Sequence, residues 1–443
     1  MRSIYDILFT IFLLLSAPSY FLKMWKRGNW RRGFRQRFGQ YDTKIKQAVT
    51  NRHVLWIHAV SVGEVNVCTQ LIRALEPRVP NIKIVVSTTT STGMGELHKK
   101  LPSHIEKIYY PIDRRKYVQH ALKTLHPEAV VLVEAEIWPN FLWKLHDRGI
   151  PCFLVNARLS ERSYRGYRRF AFLFKPIFAS LAGVGVANET DAARVRDLGC
   201  RTEAISVVGN LKFDAVSISE RPLFDVQVLL RQLGVAAGAR VLIGGSTHAG
   251  EEALLAEVFL RLRQQFPDLF LIVVPRHFER GKEVGKELAA RGLRFVYRTE
   301  LGADTQFEPG QLDCLLVNTT GELRYFYECA AVIFVGKSLT ANGGQNPIEP
   351  GAIGKAMVFG PNMQNFEAIA GAFVKAGGAI QVRDAAELEK ALSRLLADES
   401  LRQELGHCAL KVVRESQGAL ERSVEMIVRH LHGGEMYVAP ERD

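Results

Sequence analysis

Residues 318–360 read NTTGELRYFYECAAVIFVGKSLTANGGQNPIEPGAIGKAMVFG. Two apolar runs, AVIFVGK and AMVFG, have the composition of buried strands, and between them lie a glycine turn, an Asn-Pro pair and a glutamate. Strand, turn, short helix and strand is the repeating unit of a parallel α/β sheet. Gly343 and Gly344 let the backbone bend close to a ligand. Pro347 suits a first helical position, ahead of amides that point at an anion, and Ile348 and Glu349 follow within the first turn. A carboxylate beside a phosphate site needs another partner, for which the diol of a nucleotide ribose is suited. The stretch reads as a nucleotide-sugar pocket; its plainer reading is an ordinarily capped helix.

The same alternation extends outward in both directions. VLWIHAV, IKIVVSTTT, KIYYP, AVVLVEAE, CFLVNARL and GVGVAN each precede a turn and a polar helical stretch, and VLIGGS, LFLIVVPRH, LRFVYR, CLLVNTT, AVIFVGK and AMVFG repeat the scheme. The rhythm breaks over residues 209–227, where a boundary belongs. The expectation is an α/β protein with two Rossmann-like domains facing a cleft, residues 27–215 and 216–443. The last apolar-periodic stretch, from Leu388 to Leu431, reads as two helices closing the second domain. Six scattered cysteines without a C-x-x-C pair suggest neither a zinc site nor a disulfide framework and fit a reducing compartment.

The formal charge of +12 is uneven, with eight Lys/Arg and one acid, Asp6, in residues 1–39. The apolar segment at residues 4–22 is close to the ~20 residues that cross a bilayer as a helix. Basic residues follow it and only Arg2 precedes it, which argues against a cleaved signal peptide and puts the bulk of the chain on the cytoplasmic side. Residues 1–26 are thus read as a membrane anchor that spans the bilayer or lies at its surface on anionic lipid. A second basic and aromatic cluster, RLSERSYRGYRRFAFLFKPIF at residues 158–178, aligns Arg162, Arg165 and Arg169 on one helix face. It reads equally as a membrane-surface patch or as a solvated face. No helix-turn-helix, zinc finger or single-strand motif accompanies this charge, so nucleic acid is not the expected partner.

Chemistry gathers at strand ends. Glu64, in HAVSVGEVNV, is a general base for an acceptor hydroxyl or a first-turn acid complementing the helix dipole. The hydroxyls of STTTSTG suit a polyol or phosphate, or cap the next helix. In VEAEIWPN, Glu134 and Glu136 point to opposite sides if the chain stays extended. Lys212, in GNLKFD, is a cation at the domain boundary or an exposed linker lysine. GGSTHAGEE and VPRHFERG, with Arg276 and His277, place amides and a guanidinium where a phosphate can be held. There is no H-E-x-x-H, D-x-D or other convincing metal spacing and no G-x-S-x-G, so neither a metal nor another cofactor is expected.

Taken together, HAVSVGE, STTTSTG, VEAEIWPN, NARLSERS, GNLKFD, GGSTHAGEE, PRHFER, GELRYFY and GGQNPIEP resemble, in this order, the 3-deoxy-D-manno-octulosonic acid (Kdo) transferases. The resemblance implies a GT-B architecture and inverting transfer of Kdo from CMP-Kdo to a lipid A precursor at the inner membrane's cytoplasmic face. It implies that Glu64 is the general base and that Glu134 and Lys212 stabilise the transition state. Arg276, His277, the turn Thr320, Gly321 and Glu322, and the segment Asn346, Pro347, Ile348 and Glu349 would bind CMP. Lys337 stands where a second glycine is common, Gln345 where histidine is common, and Asn318 and Thr320 where aspartate and methionine are common. The alternative is another inverting GT-B enzyme, or a nucleotide-sugar epimerase, using a UDP sugar.

Overall fold

A computed structural model describes residues 2–26, 33–134, 136–214, 224–302 and 304–432. Part of the basic flank, with Arg27, Arg31 and Arg32, and the middle of the expected boundary, residues 215–223, lie outside the described residues. The chain divides into two compact units, Met1–Ala215 with Gln417–Asp443, and Val216–Ser416.

The first unit contains β1 (His53–His58), β2 (Ile82–Thr88), β3 (Glu106–Tyr109), β4 (Pro127–Val133), β5 (Cys152–Ala157), β6 (Gly183–Val186) and β7 (Ile205–Val207). They form one parallel sheet in the order β3-β2-β1-β4-β5-β6-β7. Burial on both faces explains why the strands read as continuous apolar runs. In β1, Val54 and Trp56 enter the core on one face with Leu132 and Phe141. Leu55 and Ile57 enter the core on the other, with Val131 and Phe153.

The second unit contains β8 (Val241–Thr247), β9 (Phe270–Pro275), β10 (Phe295–Tyr297), β11 (Cys314–Leu316), β12 (Val332–Val335), β13 (Met357–Phe359) and β14 (Ile380–Gln381). Its parallel sheet runs β10-β11-β9-β8-β12-β13-β14. Both sheets are doubly wound, as the alternation predicts. The edge strands β7 and β14 were not expected; at three and two residues they are too short for a periodic signal.

Two domain expectations are corrected. The final stretch forms three helices, Ala385–Ala397, Glu399–Ser416 and Ala419–His432. The last of them belongs to the first unit. Val424, Ile427 and Leu431, at helical spacing, are buried in the first unit's core with Leu71 and Phe153. Asp214 caps this helix by accepting from the Gly418 and Leu420 amides at 2.7 and 2.9 Å, and Arg422 Nε donates to the Val208 carbonyl at 2.8 Å.

The N-terminal segment is also part of the first unit instead of a separate region. It is a helix, Arg2–Lys26, long and apolar enough over Arg2–Ser19 to cross a membrane, with a mean hydropathy of 1.2. One edge is tied down. Arg2 pairs with Asp147 at 2.7 Å, Tyr5 donates to Asp113 at 2.8 Å, and Asp6 pairs with Arg115 at 2.7 Å while accepting from Asn140 Nδ2 at 2.7 Å. Ile4, Ile7, Leu8, Ile11, Phe12, Leu14 and Leu15 are exposed.

Candidate functional site

In the first sheet the order reverses between β1 and β4, and side chains at the carboxyl ends of strands beside such a switch point face a crevice. Glu64 arrives there from β1. Ser61 caps the helix Val62–Leu75, accepting from the Glu64 amide at 3.2 Å. The Glu64 carboxylate reaches back to the amides of Val60 at 2.8 Å and Ser61 at 3.3 Å, completing a capping box. The first-turn reading of Glu64 is thus met by the capping box. The cap fixes the carboxylate, 7% exposed, and a carboxylate offers about four lone-pair sites, more than the two amides use.

Two of the STTTSTG hydroxyls, Thr88 and Thr90, take the structural alternative. Thr88 and Thr90 donate to the Val60 carbonyl at 3.3 and 3.1 Å, and Thr90 caps the helix Ser91–Lys100. A Cβ on Gly93 would lie 2.5 Å from Thr88 Oγ1 and 2.8 Å from the Val60 oxygen, so only glycine lets this helix approach. These groups hold the loop that carries Glu64.

Glu134 follows β4 in a left-handed conformation, φ 62°. This corrects the expectation of opposite sides: the strand ends at Val133, and the turn brings Glu134 and Glu136 into one electrostatic group with Glu64. Neighbouring Asn156, at the end of β5, is left-handed too, φ 53°, and its amide donates to Glu134 Oε1 at 3.4 Å. Paired strained residues at strand ends are characteristic of functional sites. Burial raises the pKa of Glu134, and Glu64 adds to this, while Lys212, Arg158 and Asn156 oppose it. Burial likewise raises Glu136, whose carboxylate accepts from the Trp138 indole at 3.0 Å.

Lys212 joins this group from the turn after β7. Its pKa is lowered by burial and by Arg158, against the pull of Glu134 and Glu64. The Asp214 cap anchors the same turn to the final helix. The structure therefore brings Glu64, Glu134 and Lys212 together, and adds Arg158, Asn156 and Glu136, of which sequence reasoning singled out only Glu136. Arg158 and Asn156 lie in the NARLSERS motif, and their position at the end of β5 was the available signal.

In the second unit the order reverses between β8 and β12. Arg276 and His277 follow β9, and the Arg276 amide donates to the Thr247 carbonyl at 3.0 Å. The rings of His277 and His248 stand 5.8 Å apart, edge to face. Burial, Lys337 and His277 lower the pKa of His248, which favours a neutral ring able to accept from the Gln345 amide at 3.3 Å. Glu349 accepts from Asn346 Nδ2 at 3.1 Å. Burial raises its pKa, with Asn346, Arg324 and Arg276 opposing. Arg276, His277, Asn346 and Glu349 thus share one neighbourhood with His248 and Arg324, two residues the sequence reading did not single out.

The Asn-Pro helix start is corrected. Pro347 is the N-cap, and the helix Ile348–Ala352 has only five residues. Asn346 Oδ1 already accepts from the Ile348 amide at 3.1 Å, so that amide is not left for an anion. Gly343 and Gly344 have φ 124° and 69°, as a close bend requires, and a Cβ on Gly344 would strike Met363 Sδ at 2.5 Å. Lys337 is left-handed, φ 55°, which explains why glycine suits that place. In the turn after β11, Thr320 and Gly321 are exposed, whereas Glu322 accepts from Arg298 at 3.1 Å and from Thr319. Glu251, fully buried, accepts from the amides of His248, Lys337, Ser338 and Leu339 at 2.7 to 3.0 Å and so knits the loops after β8 and β12. Among the described residues no three His, Cys, Asp or Glu side chains form a group able to hold a metal ion.

Two doubly wound units, one with a charged cluster at its switch point and one with an arginine and histidine group at its own, are the layout of the GT-B fold. The fold is shared with UDP-GlcNAc 2-epimerase from Neisseria meningitidis bound to UDP-GlcNAc, at TM-score 0.57 and 14% identity, covering 86% of this chain and 100% of that one. Residues 32–215 match the family described as 3-deoxy-D-manno-octulosonic-acid transferase (kdotransferase). The 3-deoxy-D-manno-octulosonic acid transferase of Bordetella pertussis is 30% identical over 439 residues, 95% of this chain and 98% of that protein. That of Haemophilus influenzae is 29% identical over 380 residues, 85% of this chain and 87% of that protein. The chain belongs to the Kdo transferase family.

Proposed function

We propose that the protein transfers Kdo from CMP-Kdo to a lipid A precursor with inversion at the anomeric carbon, on the cytoplasmic face of the inner membrane. The observation that carries the reading is the convergence of Glu64, Glu134 and Lys212 at the switch point of the first unit. Glu64 takes the proton of an acceptor hydroxyl as its oxygen bonds to the anomeric carbon, and the bond from that carbon to the phosphate oxygen breaks to release CMP. Glu134 and Lys212 stabilise the charge that develops. Arg276, His277, Thr320, Gly321, Glu322 and the segment from Asn346 to Glu349 bind CMP, Glu349 facing the ribose diol. One phosphate needs less cationic stabilisation than a diphosphate, and Arg276 with oriented amides supplies it without a metal. The helix Arg2–Lys26 lies at the membrane surface, because its polar edge is tied to the first unit while its apolar face is exposed. Anionic lipid and the phosphorylated acceptor account for the basic surface around it.

Mass spectrometry of the lipid after incubation with CMP-Kdo tests this reading. A mass gain of whole Kdo units with equal release of CMP is expected, and EDTA leaves the rate unchanged. Turnover of a UDP sugar in place of CMP-Kdo overturns the donor assignment, and loss of activity on chelation, restored by magnesium, overturns the metal-free mechanism.

A further inference from the structure

We propose that Arg158, with Lys212, binds the carboxylate of the transferred sugar, so that the first unit selects an ulosonic acid over a neutral sugar. This rests on the donor reading above. Kdo carries its carboxylate directly on the anomeric carbon, so whatever brings that carbon to the acceptor hydroxyl at Glu64 brings a carboxylate as well. The site already holds Glu64, Glu134 and Glu136. A fourth carboxylate enters such a group only against cations. Lys212 and Arg158 are the cations felt by Glu134, and each acts on the other as well.

The backbone at Arg158 is held on its far side. The Leu159 amide donates to Asp191 Oδ1 at 3.4 Å, and the Leu159 carbonyl accepts from Arg194 Nη1 at 2.6 Å. On its near side β5 ends at Ala157, preceded by Asn156, which bonds Glu134. Arg158 is half-buried, and its charge acts on Asp191 as well as on Glu134 and Lys212. A guanidinium matches a carboxylate through two parallel N–H bonds, which an ammonium cannot reproduce. The competing role is that of a counter-ion for Asp191 and Glu134.

The test compares CMP-Kdo with its neutral C1 carboxamide analogue as donors for the full-length protein and for Arg158→Gln and Arg158→Lys. Parent enzyme should prefer the carboxylate donor. Arg158→Gln should raise KM for CMP-Kdo about 10- to 100-fold, the range for losing a charged hydrogen bond, and leave the carboxamide donor nearly unaffected. Arg158→Lys should recover part of the preference. Equal losses on both donors, or a raised KM for the acceptor instead, assign Arg158 to scaffold or acceptor and overturn the proposal. If Arg158→Gln fails to fold, a parent-like preference in Arg158→Lys overturns it. Parent enzyme that releases no CMP from CMP-Kdo overturns the donor reading itself, before any substitution is made.

Discussion

In the second unit Glu251 accepts four backbone amides, and Glu252 accepts from Thr247 at 2.9 Å and from Arg280 at 2.7 Å. In the first unit Glu134 has one long bond, 3.4 Å from Asn156, and Glu136 one from Trp138, among the described residues. The contrast separates two uses of a buried carboxylate. Where every lone pair is taken by the protein, the group is scaffold and its loss costs stability. Where burial raises the pKa and the bonds are few, the group retains capacity for a substrate. Glu64 lies between these extremes, since it caps a helix and faces the cluster.

Glu64→Gln tests the intermediate case and carries the largest expected effect. Glutamine also completes a capping box, so the melting temperature should hold, while loss of a general base lowers the transfer rate about 10²–10⁴-fold. A rate above roughly a tenth of the parent's, a barrier change of only about 1.4 kcal/mol, would make Glu64 scaffold like Glu251.

Glu251→Ala should show the opposite profile, removing the acceptor of four amides and costing roughly 3 kcal/mol or more, read as a lower urea midpoint. Full stability in this variant would break the comparison.

His58, at the end of β1, sharpens it through pH. Burial lowers its pKa from 6.5 to about 3, and its ring stacks on Tyr110 at 4.0 Å. Between these values the unfolded chain binds a proton that the folded chain does not. Stability therefore rises with pH across the window and is lost as pH falls from 6.5 toward 3, by about 1.4 kcal/mol per unit. In His58→Phe the acid limb of a stability-versus-pH curve should be shallower by that slope; parallel curves would mean that His58 is charged in the folded state.

The smallest stability effects come from the two left-handed residues Glu134 and Lys337. Glycine at either position relieves about 1–2 kcal/mol of strain. Its greater freedom in the unfolded chain offsets part of this, leaving a gain of about 0.5–1 kcal/mol. Lys337→Gly should melt slightly higher with transfer retained, whereas Glu134→Gly should melt slightly higher and lose transfer. If both retain transfer, Glu134 strain has no functional counterpart.

Much of this was legible in the sequence because it is local. A strand buried on both faces reads as an unbroken apolar run whatever it packs against, so twelve of the fourteen strands among the described residues could be anticipated, and with them the placement of Glu64, Glu134, Arg276 and His277 at strand ends. Glu64 reads as a first-turn acid of the helix after β1 for the same reason. What tertiary structure decided depends on residues far apart in the chain. Asp214 caps a helix 204 residues onward, drawing Ala419–His432 into the first unit and fixing the turn of Lys212. Glu134 leaves the extended conformation beside Asn156 of the next strand, which undoes the alternation rule. Arg158 enters the cluster only because β5 lies beside β4. Periodicity and capping are written in neighbouring residues, whereas burial of charge and the company it keeps are set by which distant segments the fold brings together.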